Sequence, residues 1–394
     1  MEQKKDFKYP SLYKKHLEFS ATKPVVAYDF DELINFFTDC VKMFKSEKTL
    51  IEIPLPVTVI TDIHGQYEDL HRILTAVRTY KNYDKSRVVF LGNLVDRGTA
   101  SLQCYVAVLV RKLAFPDKFH IVRGNHECRK INLKTGQKGK FLWEELKFRF
   151  PLEEARKLLD AIDKVYQWTP LAALVGKKIL CVPGGIGPSI KSLDDIRYIP
   201  RPIQSTKAPS IVGQLLWSDP NPNRKLRGFL YNDRRHTSIY YGEDEIDRVL
   251  KELRIASIVR GHECTANGYT YPFLTGKLVS LFSAPGYMRD AASGKLNEGA
   301  VATIDESFKF KFRRITAVAN AFGANPDLPS IDDVTNADSG EEDEVAVKST
   351  SVVKKVNSSD DKPNTSTDEE AHMRKIKMSQ LERPGTGTEL VEFD

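Results

Sequence analysis

A folded body in which short strands alternate with amphipathic helices, followed by a solvated acidic tail, is the architecture this sequence predicts. Val- and Ile-rich runs of four to six residues recur up to about Ile315, apolar residues at helical spacing follow several of them, and aromatics almost vanish beyond about Asn320. Hydrophobic residues make up 41% and aromatics 10% of the 394 residues, which supplies a full core and excludes a chain disordered throughout.

The elements follow in order. Val57 to Ile60 reads as a short buried strand, and the helix after it carries Leu70, Ile73, Leu74 and Val77 at i, i+3, i+4 and i+7. Arg87 to Leu91 reads as a second strand, followed by a helix with Leu102, Val106, Leu109, Val110 and Leu113 on one stripe. The strand signal returns at Phe119 to Val122, Lys178 to Val182, Ile255 to Val259 and Lys277 to Phe282. We place an N-terminal extension at 1–24, the folded domain at 25–318 and the tail at 319–394. Between Ile331 and Glu370 the tail holds 12 acidic and 4 basic residues, too polar to offset its ordering entropy by burial. Ser358, Ser359 and Thr365 to Thr367 stand beside acidic residues and suit an acid-directed kinase; a second use for so acidic a stretch is to lie across a basic pocket on its own body.

Composition argues against several classes. The formal net charge is +6, and no basic segment interleaved with aromatics accompanies it, so no nucleic-acid partner is expected. No apolar run approaches the roughly 20 residues that cross a bilayer. The polar N-terminus also lacks the apolar stretch of a secretory signal. We therefore expect no membrane span and a cytoplasmic or nuclear location. Cys40, Cys104, Cys128, Cys181 and Cys264 are scattered without paired metal spacing and read as reduced thiols.

Polar clusters stand where the strands end. Thr61-Asp62-Ile63-His64-Gly65-Gln66 follows the first strand and sets a carboxylate and an imidazole two residues apart, a spacing suited to a metal ion. Gly92 to Gly98 follows the second strand, Arg123-Gly124-Asn125-His126-Glu127 the third, and Arg260-Gly261-His262-Glu263 a later one. Strands that share a sheet would bring these clusters to one edge, where concave polar sites form. Glu127 and Glu263 read as loop-fixing residues, and Trp143, Trp168 and Trp217 as core aromatics.

With these motifs the sequence resembles the catalytic domain of the phosphoprotein phosphatase family, the metal-dependent serine/threonine phosphatases. The resemblance runs from about Tyr28 to Ile315 and includes Leu171-Ala172-Ala173, Leu215 to Pro220, Ser283-Ala284-Pro285 and Asn297 to Ala300. It implies an α+β fold of metallophosphoesterase type, a central β-sandwich flanked by helices with two divalent ions at one edge. In such enzymes the ions, about 3.5–4 Å apart, acidify a bridging water and clamp the phosphate for in-line attack. By this resemblance Asp62 and His64 would hold the first metal, and Asn125 and His262 would contact the second. Arg97 and Arg234 would grip the phosphate through their planar forks, with Arg235 the alternative to Arg234 after a one-residue insertion. His126 would be the general acid, Asp96 would orient it, and Tyr287 would line the pocket.

Two ligand positions depart from the family pattern. Asn93 stands where an aspartate bridges the metals, and Pro183 stands where a histidine binds the second one. Asp62 is then the one carboxylate facing both ions, and the second ion would keep the amides of Asn93 and Asn125 and the imidazole of His262, a weak set for a hard cation. Thr61 replaces a glycine and is expected to crowd the approach, while a long Met288 to Leu296 loop is expected to overhang the pocket. The resulting expectation is a divergent phosphatase of phosphoproteins with impaired turnover, using Mn²⁺ or Fe/Zn as one tightly bound ion or an unusually weak pair, and regulatory subunits as further partners. The alternative is a catalytically dead pseudophosphatase that binds phosphoproteins or regulatory subunits.

Overall fold

The computed structural model describes residues 3–18, 25–80, 83–134, 140–206, 210–221, 223, 225–290 and 293–317, and the expected tail at 319–394 lies outside them. The first half of the chain runs α1 (Pro10–Lys15), α2 (Phe30–Ser46), β1 (Leu50–Ile53), β2 (Val57–Ile60), α3 (Tyr67–Arg78), β3 (Arg87–Phe90), α4 (Ser101–Ala114), β4 (Phe119–Ile121), α5 (Arg129–Asn132), α6 (Leu142–Arg149) and α7 (Leu152–Trp168). The second half runs β5 (Ala172–Val175), β6 (Ile179–Val182), α8 (Leu193–Arg197), α9 (Ile211–Trp217), β7 (Asp219–Pro220), β8 (Phe229–Tyr231), β9 (Ile239–Tyr241), α10 (Glu243–Leu253), β10 (Ser257–Arg260), β11 (Tyr269–Thr270), β12 (Leu278–Leu281), β13 (Gly299–Ile304) and β14 (Phe310–Ile315). No helix among the described residues is long and apolar enough to cross a membrane.

Two large sheets form, in the orders β14-β13-β2-β3-β4 and β1-β5-β6-β10-β12-β11, with a small third sheet β7-β9-β8. The strand period of two sorts their side chains into separate cores. Val57, Val59, Val89 and Leu91 of the first sheet meet Ile179, Cys181, Val259 and Val279 of the second between the sheets. The alternate residues Val88 and Phe90 face the core built with α2, α3, α4 and α7. Leu180, Val182, Ile258 and Leu278 face the core built with α9 and α10. The result is a β-sandwich with a helical layer on each outer face, the α+β class expected. The polar clusters, however, do not share a sheet: β2, β3 and β4 lie in one sheet and β6, β10 and β12 in the other.

The helix expected to bury one stripe buries almost all of itself. In α4, Gln103, Arg111 and Lys112 lie inside beside the leucines and valines, with Arg111 donating to the carbonyl of Ala107 at 2.7 Å and Lys112 paired to Glu47 at 2.5 Å. One cause is the N-terminal segment. The N–H of Lys4 donates to the carbonyl of Ala114 at 2.9 Å, Leu12 of α1 is fully buried, and His16 sits between the hydroxyls of Tyr67 (2.7 Å) and Tyr28 (3.1 Å). The boundary drawn at residue 25 is therefore not a break in packing.

Candidate active site

The loops leaving β2 and β3 are zipped to each other. The N–H groups of Ile63 and His64 donate to the carbonyl of Asn93 at 2.8 and 2.9 Å, Gly65 donates to Leu94 at 3.0 Å, and Gly98 donates to His64 at 2.8 Å. This bonding holds His64, Asn93, Asp96 and Arg97 at positive φ, and His262 after β10 shares that conformation. Each such backbone costs about 1–3 kcal/mol, so the loops must be over-determined by their surroundings. Glu127 supplies much of that determination, accepting the N–H groups of Asn93 (2.7 Å), Leu94 (2.8 Å) and Gly124 (2.8 Å). Gly124 permits this approach, because a Cβ there would stand 2.3 Å from Asn93 Oδ1.

Four imidazole and phenol rings close around the cleft. His64 stacks on Tyr287 at 4.9 Å and meets His126 edge-on at 4.7 Å. His64 Nδ1 donates to the carbonyl of Val95 at 3.2 Å, which leaves the Nε2 lone pair 3.7 Å from Asp62 Oδ1. Burial holds the His64 imidazole well below its ordinary pKa, with the charge of Arg97 adding to the effect, so it is neutral at physiological pH. Burial does the same to His262, whose ring meets Trp217 edge-on at 5.7 Å.

His126 and Asp96 form a dyad. His126 Nδ1 donates to Asp96 Oδ2 at 3.0 Å, which leaves Nε2 as the ring nitrogen through which a proton can be exchanged. Asp96 is fixed in turn by Asn132 Nδ2 at 2.8 Å and by the N–H of Leu142 at 2.9 Å, while its own N–H donates to Ser101 Oγ at 2.8 Å. Asn132, Leu142 and Ser101 carry no motif signal, and their part in the dyad is visible only in three dimensions.

Beside the dyad the arginines divide. Arg97 lies in the β3 loop with its guanidinium 5.8 Å from the centre of the Phe141 ring. Arg234 Nη1 is 3.9 Å from Glu263 Oε1 and remains partly exposed. Arg235, by contrast, is buried and bonded to Asp219 at 2.7 Å, within a network that includes Arg260 bonded to Asp219 at 2.7 Å and to Glu263 at 2.7 Å. Asp219 is held well below the usual carboxylate range chiefly by the charge of Arg235, against the opposing effect of burial. Arg235 is therefore committed to the scaffold and does not stand in for Arg234.

Residues 55–266 match the sequence profile of the calcineurin-like phosphoesterases. The chain belongs to that family. A Caenorhabditis elegans serine/threonine-protein phosphatase, PP1-delta, is 35% identical over 271 residues, covering 66% of this chain and 82% of that protein. A second C. elegans relative, serine/threonine-protein phosphatase C23G10.1, is 36% identical over 273 residues, covering 69% of this chain but 56% of that protein. A Saccharomyces cerevisiae protein serine/threonine phosphatase with similarity to human phosphatase PP5 shares the fold, with a TM-score of 0.63 at 24% identity over 74% of this chain and 91% of that one.

Calcineurin-like phosphoesterases imply divalent metal ions, and the donors here can be tested against them. Two observations suit a cation: the His64 Nε2 lone pair faces Asp62, and the buried atoms Asn125 Oδ1 and His262 Nε2 have no hydrogen-bond partner among the described residues. Three oppose a pair of cations. Asn93 turns an N–H toward Asp62, donating to Oδ1 at 2.8 Å. The described residues also contain no group of three or more His, Cys, Asp or Glu able to hold a metal. Pro183 directs its carbonyl to the N–H of Gly261 at 3.1 Å. The residues do not fit a two-metal cluster.

One smaller expectation changes. Thr61 does not obstruct the cleft with its hydroxyl, which donates to the carbonyl of Leu281 at 2.7 Å while its N–H donates to Ser283 Oγ at 2.9 Å, so it ties β2 to the end of β12. Residues 291–292 of the loop expected to overhang the pocket lie outside the described residues; on either side of them Met288 is buried with its N–H donating to Asn297 Oδ1 at 2.8 Å, and the N–H of Asp290 donates to the carbonyl of Lys295 at 2.8 Å.

Proposed function

We propose that this chain is a divergent serine/threonine phosphatase that recognises phosphoserine and phosphothreonine in proteins and hydrolyses them far more slowly than a two-metal relative. The observation that carries the reading is the His126–Asp96 dyad, held at 3.0 Å and braced by Asn132 and Leu142, in a chain whose metal-bridging position is Asn93. In this reading His126 gives a proton to the leaving serine oxygen, and Arg97 and Arg234 hold phosphate oxygens. A divalent ion, Mn²⁺ or Fe/Zn in kind, would supply an activated water when bound; Asp62 and His64 are the donors for one such ion. Regulatory subunits of the kind that bind phosphatases are further partners in this reading, in the cytoplasm or nucleus. A second reading, a pseudophosphatase that binds without turnover, is favoured by Pro183 and by the amide of Asn93 facing Asp62.

The test compares phosphopeptide hydrolysis by the wild type and by Asn93→Asp/Pro183→His in saturating Mn²⁺. Removing a single supporting contact at a metal site typically costs about 10–100-fold, so restoring two ligands should raise kcat/KM by about 100-fold or more. A measurable wild-type rate selects the slow enzyme and a silent wild type the binding module; equal rates in the two proteins would overturn both readings of the site. In parallel, Arg97→Ala should weaken wild-type phosphopeptide binding by about 1.5–3 kcal/mol, measured by calorimetry.

A further inference from the structure

Asp62 presents a problem that any account of this cleft must meet. Its carboxylate is only 2% exposed, and a buried anion is tolerated when cations or hydrogen-bond donors compensate it. Donors are present. Asn93 Nδ2 reaches Oδ1 at 2.8 Å, and the N–H of His262 reaches Oδ2 at 3.1 Å and Oδ1 at 3.3 Å. The backbone of the β10 loop closes over the same group, since a Cβ on Gly261 would stand 2.5 Å from Asp62 Oδ2. These contacts join a loop of the first sheet to a loop of the second across the mouth of the sandwich.

The direction of the Asn93 amide is fixed from both ends. Its Oδ1 accepts the N–H of His126 at 3.1 Å, and its Nδ2 faces a carboxylate, which only accepts. Turning the amide over would set an N–H against an N–H and a carbonyl against a carboxylate. An aspartate at 93 could accept from His126 but would repel Asp62 unless a cation stood between them. Asparagine is the isostere that satisfies both neighbours by itself.

We propose that Asn93, Asp62 and the His262 N–H form a hydrogen-bonded clasp in place of a metal cluster, so that this cleft keeps its shape and takes phosphoryl groups without a divalent ion. The clasp follows from the geometry alone; its phosphoryl ligand rests on the function proposed above.

Four full-length proteins test it by thermal unfolding at pH 8, in chelator and in Mn²⁺: wild type, Asn93→Asp, Asn93→Ala and the charge transposition Asp62→Asn/Asn93→Asp. In chelator Asn93→Asp should melt lower than wild type by about 3 °C or more, and Mn²⁺ should narrow that gap. Asn93→Ala, which removes bonds without adding charge, should lose less and gain no more from Mn²⁺ than wild type does. The transposed pair, which restores one amide facing one carboxylate, should recover most of the loss in chelator. If Asn93→Asp melts with wild type in chelator, or if the transposed pair is no better than Asn93→Asp, the clasp is wrong. Should Asn93→Asp fail to fold, the wild type, alanine and transposed proteins still decide the matter, because a transposed protein less stable than the alanine variant overturns it. Calorimetry with a phosphoserine peptide and with inorganic phosphate in chelator separates the ligand from the clasp. Binding there supports the whole proposal; its absence beside the predicted melting order leaves the clasp standing and overturns phosphoryl recognition.

Discussion

The two sides of the cleft have been treated differently by this sequence. On the side of the dyad, His126, Asp96, Asn132 and the N–H of Leu142 form a continuous set of bonds between 2.8 and 3.0 Å. On the metal side, Asp62 is bonded to an amide and a backbone N–H where the family pattern places further metal ligands. One half of the site thus departs from the family pattern while the other keeps its bonds, even though Glu127, the backbone of the 93–98 loop, the bond from the His126 N–H to Asn93 Oδ1 and the His64–His126 ring contact join them. Proton transfer and phosphate grip are local properties of side chains. Water activation by two ions is a property of a summed charge, and that sum has changed.

Three further measurements break or sharpen this contrast. The largest expected effect is on the dyad. In the Asn93→Asp/Pro183→His background with Mn²⁺, His126→Ala should lower kcat by about 10²–10⁴-fold with little change in phosphopeptide affinity. An unchanged kcat would show that the intact side is only scaffolding. Next comes Glu127, one of the residues that join the halves. Glu127→Ala strands three buried N–H groups and should cost about 3 kcal/mol or more in urea unfolding, with loss of both phosphopeptide binding and any activity. A stable, fully binding Glu127→Ala protein would show that the halves are independent even of their shared brace.

The smallest effect lies far from both halves, at His16. Burial, reinforced by the charge of Arg111, lowers its pKa well below 6.5 in the folded state. The unfolded chain therefore takes up a proton near pH 6.5 that the native protein refuses, and stability is lost as pH falls from there toward the folded value. His16→Gln should flatten the pH dependence of the unfolding free energy measured in urea by about 1.4 kcal/mol per pH unit below pH 6. Parallel curves for the two proteins would place the N-terminal segment outside the cooperative unit.

Much of this was legible in the chain. The β2 range matches the expected Val57–Ile60, and β3, β4, β6 and β12 fall within one residue at each end of their apolar runs, because period-two burial on both faces demands such runs. Strand partners were not legible. β6 pairs with β10 and β10 with β12, across separations that no local pattern encodes, so clusters expected on one sheet edge come from two sheets. β5, Ala172–Val175, carries two alanines and little β signal of its own; it is a strand because β1 and β6 flank it. At the site, the sequence shows Asn93 as a lost charge, whereas the structure shows it also as a gained donor. That second property depends on where Asp62 and His126 stand, which residue identity does not state.

Regaining a second metal from this sequence requires two replacements, Asn93→Asp and Pro183→His, and the closed Asp62–Asn93 bond makes their order matter. Asn93→Asp taken first sets two carboxylates at the 2.8 Å spacing that amide and carboxylate now share, with no new imidazole to help hold a cation. Pro183→His taken first adds an imidazole near a carboxylate already hydrogen-bonded to an amide. Neither single step yields the complete ligand set, and the first lowers stability before it returns any chemistry. The bond that closes the cleft thus acts as a ratchet on sequence change, easy to keep and hard to undo one residue at a time.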